Sequence, residues 1–347
     1  MFGIGTAKKT EFKLQARWQH TTEQFILDLA WSPCGKKLAL VTVEGQVVLI
    51  DQADQDGIHR CVGSHSGGAT SVSWRYDGRE FATSGQDGVA KIWNAANGEL
   101  LVELLAGSPW VSKVAYHPRN PSLATAAGKI LRIWTQDRQV AYESQDHQST
   151  IADIGWNPDG SSIAAAAYFG ISLHVPGRRA EPRKYQWKGS SLALAWSPDS
   201  QYIATGEQDS TVHFWKVKSG EDAQMWGFVT KVLELAWHHS GGLLATGGSD
   251  TIVLWDCRGK GPAGRQPRMF EGHPTRITQL AFQHRGDRLA SGDQNGGLLF
   301  WNLGQSREPI GGGSMPQAIS RLAWAPNDQC IAVGHSDGTI AVLGFAS

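Results

Sequence analysis

Between Ser191 and Trp215 the chain alternates apolar and polar residues in a form that its other segments repeat. An apolar strand ending at Trp196 runs into a Ser-Pro-Asp turn, and a short strand follows over Tyr202-Ile-Ala-Thr205. A second polar turn around Asp209 leads to a third strand, Thr211-Val-His-Phe-Trp215. Period-two alternation bounded by turn residues predicts strands. Aligning on the aromatic that ends the first strand gives Trp31, Trp74, Tyr116, Trp156, Trp196, Trp237, Phe282 and Trp324, at intervals of 43, 42, 40, 40, 41, 45 and 42 residues. Eight residues after each anchor stands an alanine (Ala39, Ala82, Ala124, Ala164, Ala204, Ala245, Ala290, Ala332), and the residue before that alanine is always apolar. The chain therefore holds eight copies of one unit, numbered here one to eight, of about 40–45 residues each.

Each copy predicts three strands and a more variable fourth. Proline two residues past the anchor (Pro33, Pro118, Pro158, Pro198, Pro326) presets φ for a tight turn. The recurring alanine suits a strand whose face lies against another sheet with no space for more. Third-strand tryptophans Trp93, Trp134, Trp215, Trp255 and Trp301 occur in the same copies as a hydroxyl nine residues past the anchor: Thr83, Thr125, Thr205, Thr246 and Ser291. The other copies lose both together, as Leu40/Ile50, Ala165/His174 and Val333/Leu343. A buried indole N–H needs an acceptor, so the pairing predicts a hydrogen bond from each tryptophan to its hydroxyl.

Composition adds two points. Fifteen tryptophans and 41 glycines in 347 residues fit a multi-turn all-β repeat. Lysine plus arginine equals aspartate plus glutamate at 32 each, so no global field recruits nucleic acid or an anionic membrane. Cys34, Cys61, Cys257 and Cys330 show no C-x-x-C spacing and read as free thiols of a reducing compartment. The N-terminus lacks an apolar signal region and no stretch approaches 18 apolar residues, which points to a cytoplasmic protein.

His65, Asp87 and Trp93 in copy two, Gly272-His273 with Trp301 in copy seven, and Trp255-Asp256 closing copy six carry a family resemblance. The chain resembles the WD-repeat β-propellers over essentially its whole length. The resemblance implies a structural network of histidine, strand hydroxyl, turn aspartate and third-strand tryptophan. It also implies that partners bind the face made by the loops entering the first strand and by the hairpins between second and third strands.

The expected fold is all-β: one domain over 1–347, a closed eight-bladed β-propeller of four-stranded antiparallel blades, with seven blades as the runner-up. Residues 1–19 are expected to close the ring, the alternating stretch Glu11–Trp18 supplying the outer strand of the last blade, and residues 20–347 to hold the eight repeats.

Candidate chemistry is sparse. His65, Thr83 and Asp87 suggest a nucleophilic triad, but the same set recurs in several copies, as packing would and an active site would not. His117, His238-His239 and His284 fall in turns after the anchors with no carboxylate or cysteine at ligand spacing, so no metal or cofactor is expected. The basic loops Arg178-Arg179-Ala-Glu-Pro-Arg183-Lys184 and Arg258–Arg268 offer nucleic acid or an acidic partner an alternative site, against solvated loop charge. A channel enzyme or small-ligand site would need convergent ionisable groups, and Glu44, Glu207 and Asp293 are the acids near the relevant turns outside the repeated turn position.

The sharper signal lies on the face that the resemblance marks. Six residues before the anchors, and just before the turn acids, the copies differ: Phe25, Trp110, Tyr168 and its neighbour Phe169 are aromatic, Gln86, Gln208 and Gln294 are polar, and Lys231 and Arg276 are cationic. Aromatics beside arginine and lysine make binding hot spots. Trp110 has no packing role in the repeat, unless it folds over the channel mouth. Copy four departs furthest, with Ala164-Ala-Ala-Ala-Tyr168-Phe169-Gly170 where others have a Thr-Gly-x-x-Asp pattern. The expected function is a non-catalytic scaffold that binds a protein or peptide through these nine residues, monomeric alone and part of a complex, with no membrane association.

Overall fold

The computed structural model describes residues 13–52, 59–107, 110–145, 147–178, 181–304 and 306–346. Thirty β-strands and no α-helix are present among them, and no helix there is long and apolar enough to cross a membrane. Copy two shows the unit: Ala69–Trp74, Glu80–Gly85, Val89–Asn94 and Leu100–Leu105 pair in that order, each antiparallel to the next. The first strands of successive copies lie against one another, and Ile26–Trp31 of copy one touches Ile319–Trp324 of copy eight. The ring is thus a closed β-propeller with the first strands innermost.

Hydrogen bonding divides the described strands into seven sheets, six of four strands and one of six. This count corrects the expectation of eight separate blades in favour of the runner-up number. The cause lies in copies four and five, which share the six-stranded sheet. Phe169 (φ 71°) and Gly170 (φ 100°) join the second and third strands of copy four with no loop between them, so Ile163–His174 is one unbroken run of strand residues. Arg183–Trp196 likewise runs on from the outer strand of copy four into the inner strand of copy five, and Tyr168 pairs with Ser190. The lower number does not come from a stray copy. Eight apolar clusters fill the ring, each drawn from two successive copies, and one of them joins Leu29 and Leu38 of copy one to Ala332 and Val342 of copy eight.

The repeated columns explain this packing. All eight alanines are fully buried, as they must be where adjacent sheets meet closely. The anchor tryptophans tie each copy to the one before. Trp74 Nε1 donates to Ala30 O at 2.8 Å, Trp156 to Ala115 O at 3.0 Å, Trp196 to Gly155 O at 2.9 Å, and Trp31 closes the circle on Ala323 O at 3.0 Å. The third-strand tryptophans behave as the co-occurring hydroxyls predict. Trp93 donates to Thr83 Oγ1 at 2.9 Å, Trp134 to Thr125 at 3.0 Å, Trp215 to Thr205 and Trp255 to Thr246 at 3.1 Å, and Trp301 to Ser291 at 2.8 Å.

At the join, Lys13–Thr21 forms the outer strand of the sheet of copy eight. It pairs antiparallel with Thr339–Ala346 from Lys13↔Ala346 to Thr21↔Thr339, with a bulge between Ala16 and Trp18. Residues 1–12 of the expected closing segment lie outside the described residues.

Candidate partner-binding face

The backbone places the two variable positions of a copy side by side. The N–H of the residue before the turn donates to the carbonyl six residues before the anchor: Val43 to Phe25, Gln86 to Gly68, Gln208 to Ser190, Gln294 to Arg276 and Ser336 to Ala318, at 2.9–3.0 Å. In copy four the Tyr168 N–H goes instead to Ser149 Oγ at 2.9 Å. Loops entering the inner strands and hairpins between second and third strands therefore share one edge of the ring.

On that edge Trp110 is 60% exposed, Tyr168 44%, Phe169 42% and Phe25 37%, so Trp110 is not folded away over the channel. Gln86, Gln208, Gln294 and Lys231 are exposed. Arg276 is half-buried, with its guanidinium 3.6 Å from the Glu234 carboxylate. The Tyr168 and Phe169 rings lie 4.1 Å apart between centroids, tilted at 55° to one another. A positive φ is unusual for phenylalanine, and the turn holds it beside a glycine whose Cβ would come within 2.1 Å of Tyr185 O.

Several exposed apolar residues on the same loops escaped sequence reasoning. Val43 lies opposite Phe25, Leu105 precedes the loop to Trp110, and Trp226, Val229 and Leu233 occupy the segment entering copy six. Trp226 lies just past the outer strand Asp222–Met225 and is 75% exposed. The available signal was an aromatic in a glycine-bearing loop, Trp226-Gly-Phe-Val229.

Copy four compensates for its lost network. His174, which replaces the third-strand tryptophan, accepts from Tyr142 Oη of copy three at Nδ1 (2.8 Å), and its Nε2 meets Ser172 Oγ at 2.8 Å. His147 Nε2 reaches the same hydroxyl at 2.8 Å. Burial, reinforced by His147 and Lys184, pushes the His174 pKa down to about 3. Beside this network runs a cleft of about 130 Å³, lined among others by Gln145, His147, Tyr168, Phe169 and Lys184.

The inner strands carry a ring that sequence reasoning missed. Three residues before the anchors stand Asp28, Ser71, Lys113, Asp153, Ala193, Glu234, Gln279 and Arg321, a column as regular as the alanines but with mixed charge. Lys113 Nζ lies 3.4 Å from Asp153, and Arg321 3.5 Å from Asp28. Asp153, then Asp28, raise the Lys113 pKa against burial, so groups of copies one, three and four meet near the axis. Four of its charges pair within the ring, Glu234 pairs with Arg276 outside it, and the ring is also structural. Asp28 accepts from Val72 N, Ser71 from Val114 N and Asp153 from Leu194 N, each at 3.0 Å and each one copy ahead. Of the acids singled out in the sequence, Glu44 is exposed. Glu207 and Asp293 are fully buried, the first accepting from Ser191 Oγ at 2.9 Å and the second 2.8 Å from His273 Nδ1.

The apparent triad is a packing network. His65 bridges Asp87 (2.9 Å) and Thr83 Oγ1 (2.8 Å), whose hydroxyl also takes the Trp93 indole N–H. His273 repeats this arrangement with Asp293, Ser291 and Trp301. Burial outweighs the neighbouring carboxylate and lowers the pKa of both histidines.

The turn histidines are corrected on two counts. His117 and His238 are buried, and they clasp the next copy: His117 Nε2 meets Gly160 O at 3.0 Å, and His238 Nε2 meets Asp287 at 3.1 Å. A carboxylate does stand with the His238-His239 pair, delivered by the turn of copy seven.

The basic loops are largely spent within the fold. Arg258 and Arg265 both bind Asp256, and the hydrogen bonds from Arg258 hold that carboxyl well below the usual range. Arg268 caps Leu303 O, and Arg183 caps Val217 and Lys218 carbonyls. Arg178 is exposed, and Arg179 lies outside the described residues.

Comparison with known proteins follows this geometry. The family model "WD domain, G-beta repeat" matches residues 58–94, 184–216, 227–256, 264–302 and 312–342. Protein FIZZY-RELATED 3 of Arabidopsis thaliana is 25% identical over 184 residues, covering 48% of this chain and 36% of that protein. WD repeat-containing protein AAC3 of Dictyostelium discoideum is 24% identical over 54% of this chain and 46% of its own length. Pre-mRNA-processing factor 19 homolog 2 of Arabidopsis thaliana is 24% identical over 68% and 47%. The chain thus spans less than half the length of these curated relatives. Among solved structures, the computationally designed Ika8 protein superposes with a TM-score of 0.78 at 19% identity, over 93% of this chain and 97% of that one, a likeness of fold alone.

Proposed function

The chain belongs to the WD-repeat family, and from that premise we propose that it is a non-catalytic scaffold binding a protein or peptide on the face that carries Phe25, Trp110, Tyr168 and Phe169. Gln86, Gln208, Gln294 and Lys231 surround these aromatics as polar contacts, and Arg276 contributes from the channel side. The carrying observation is that Trp110, the tryptophan without a place in the repeat, is 60% exposed on the edge that also presents Tyr168 and Phe169. Large aromatics left in water are what a hot spot needs and what a packed blade does not. The burial of the histidine networks under tryptophan and the pairing of channel charges support a non-catalytic reading. Free thiols at Cys34, Cys61, Cys257 and Cys330 support a reducing compartment, the cytoplasm.

Affinity capture from native lysate of the source, with wild type and a Trp110→Ala/Tyr168→Ala double variant, tests the assignment. The expected result is a partner held by wild type and lost by the variant, with unchanged melting temperature. A partner held equally by both defeats it. Arg178→Ala/Lys184→Ala tests the alternative, since loss of a salt-sensitive partner in that variant alone points to the basic loops.

A further inference from the structure

We infer that His238, His239 and Asp287 form a binding site for a divalent transition metal, of which Zn²⁺ is the best-matched ion, between the turns of copies six and seven. Their ligand atoms lie within 4.8 Å of one another. His238 Nε2 is 3.1 Å and His239 Nε2 3.8 Å from Asp287 Oδ1. Ligands at about 2.0–2.1 Å in a tetrahedron stand about 3.3 Å apart, a value these two edges bracket. Two imidazoles and a carboxylate suit zinc, and three protein ligands leave a position for water or a partner's side chain.

The surroundings support the imidazoles. His238 Nδ1 accepts the Ser240 backbone N–H at 3.2 Å and lies 2.8 Å from Ser240 Oγ, contacts that fix the ring. A metal on Nε2 requires the ring proton to move to Nδ1, where the Ser240 hydroxyl can accept it. Phe282 closes one side of the His238 ring edge-on at 5.3 Å, and the two histidine rings lie 4.1 Å apart, tilted at 39°. Arg258 and Arg268 line the adjacent hollow, but Asp256 neutralises the first and the Leu303 carbonyl holds the second.

The position of His239 adds a separate argument. His117 and His238 occupy one column and each reaches the following turn, so a clasp between copies accounts for His238. It does not account for His239, which stands where five other copies have the turn proline. His239, open to solvent, is the member a clasp does not need, while the Asp287 carboxylate serves His238 and His239 alike.

The test titrates Co²⁺, as a coloured stand-in for Zn²⁺, into the full chain after removal of metals with a chelator. One equivalent giving a visible absorption band, displaced by Zn²⁺, is expected, with a rise in melting temperature of ~2 °C or more at saturating Zn²⁺. His239→Ala and Asp287→Asn should each lose the band and at least tenfold in affinity while melting, without metal, within ~1 °C of wild type, as exposed substitutions do. Absence of a stoichiometric band overturns the inference. So does a band unchanged in both variants, because it would place the metal on the exposed thiols of Cys34 or Cys61 or on other histidines.

Discussion

Copies two and four occupy equivalent places in the ring, keep the same buried alanine and the same apolar neighbour, and solve the same problem in opposite ways. In copy two a loop histidine, a turn aspartate, a strand threonine and an indole satisfy each other inside one sheet. In copy four the threonine is Ala165 and the indole is His174, and satisfaction comes from outside, through Tyr142 of copy three. A network local to one blade frees its hairpin to be a plain polar turn, Gln86-Asp87. Copy four instead turns at Phe169-Gly170 and leaves Tyr168 and Phe169 exposed beside a cleft. The frame is indifferent to which network fills it, so the exchange leaves room for a recognition surface.

The largest test of this contrast removes each central side chain. Trp93→Ala deletes a buried indole and strips Thr83 of a donor, at a cost of ~3–5 kcal/mol. His174→Ala deletes a smaller ring held by two hydrogen bonds, and should cost ~1–3 kcal/mol. Urea unfolding of both variants measures the difference. Equal losses would mean that copy four depends on its substitute network as heavily as copy two does on the original.

The sequence made the first half of that contrast plain and hid the second. Columns at fixed offsets from the anchor report interactions within a copy, and there the residues spoke clearly: eight buried alanines, five indoles each on its expected hydroxyl. Contacts between copies that the repeat does not impose carry no such signal. Nothing in the order of residues aligned Tyr142 with His174, or brought Asp287 to His238 across 49 positions. The ring of Asp28, Lys113, Asp153 and Arg321 was visible as a column, yet its charges look scattered until neighbouring inner strands meet. Sheet count failed for a local reason: Arg183–Trp196 runs without a break from the outer strand of copy four into the inner strand of copy five, so the two copies share one sheet. The residues alone left Trp110 between exposure and folding over the channel mouth, because the lack of a role in the repeat is weaker information than a role.

Acid should separate the two networks further. Both histidines have folded pKa values below the ordinary 6.5, so between the folded value and 6.5 the unfolded chain binds more protons. Stability is therefore full above about pH 7 and falls as pH drops, by about 1.4 kcal/mol per pH unit for each histidine kept neutral. Asp87 partly supports a charged His65, whereas the groups that act on His174 are burial, His147 and Lys184, all of which oppose its charge. Replacing His174 with glutamine should flatten the decline between pH 6.5 and 5 by ~1–2 kcal/mol, more than replacing His65 does. Thermal unfolding at half-unit steps of pH checks it, and a steeper dependence on His65 would reverse the ranking of the two sites.

The smallest effect bears most directly on function. Phe169 holds φ at 71°, a region that costs a non-glycine residue ~1–2 kcal/mol, and it recovers part of that through its contact with Tyr168. A glycine there relieves the strain and gives up the contact, so Phe169→Gly should stabilise the fold by ~0.5 kcal/mol, a rise of ~1–2 °C in melting temperature. Copy two has no such reserve, because its hairpin takes its positive φ at Gly88. If the strain is retained for recognition, the variant that melts higher will also hold the partner less firmly. A Phe169→Gly protein that melts lower would show that the aromatic pair is there to brace the hairpin, and would move the origin of copy four's divergence from binding back to packing.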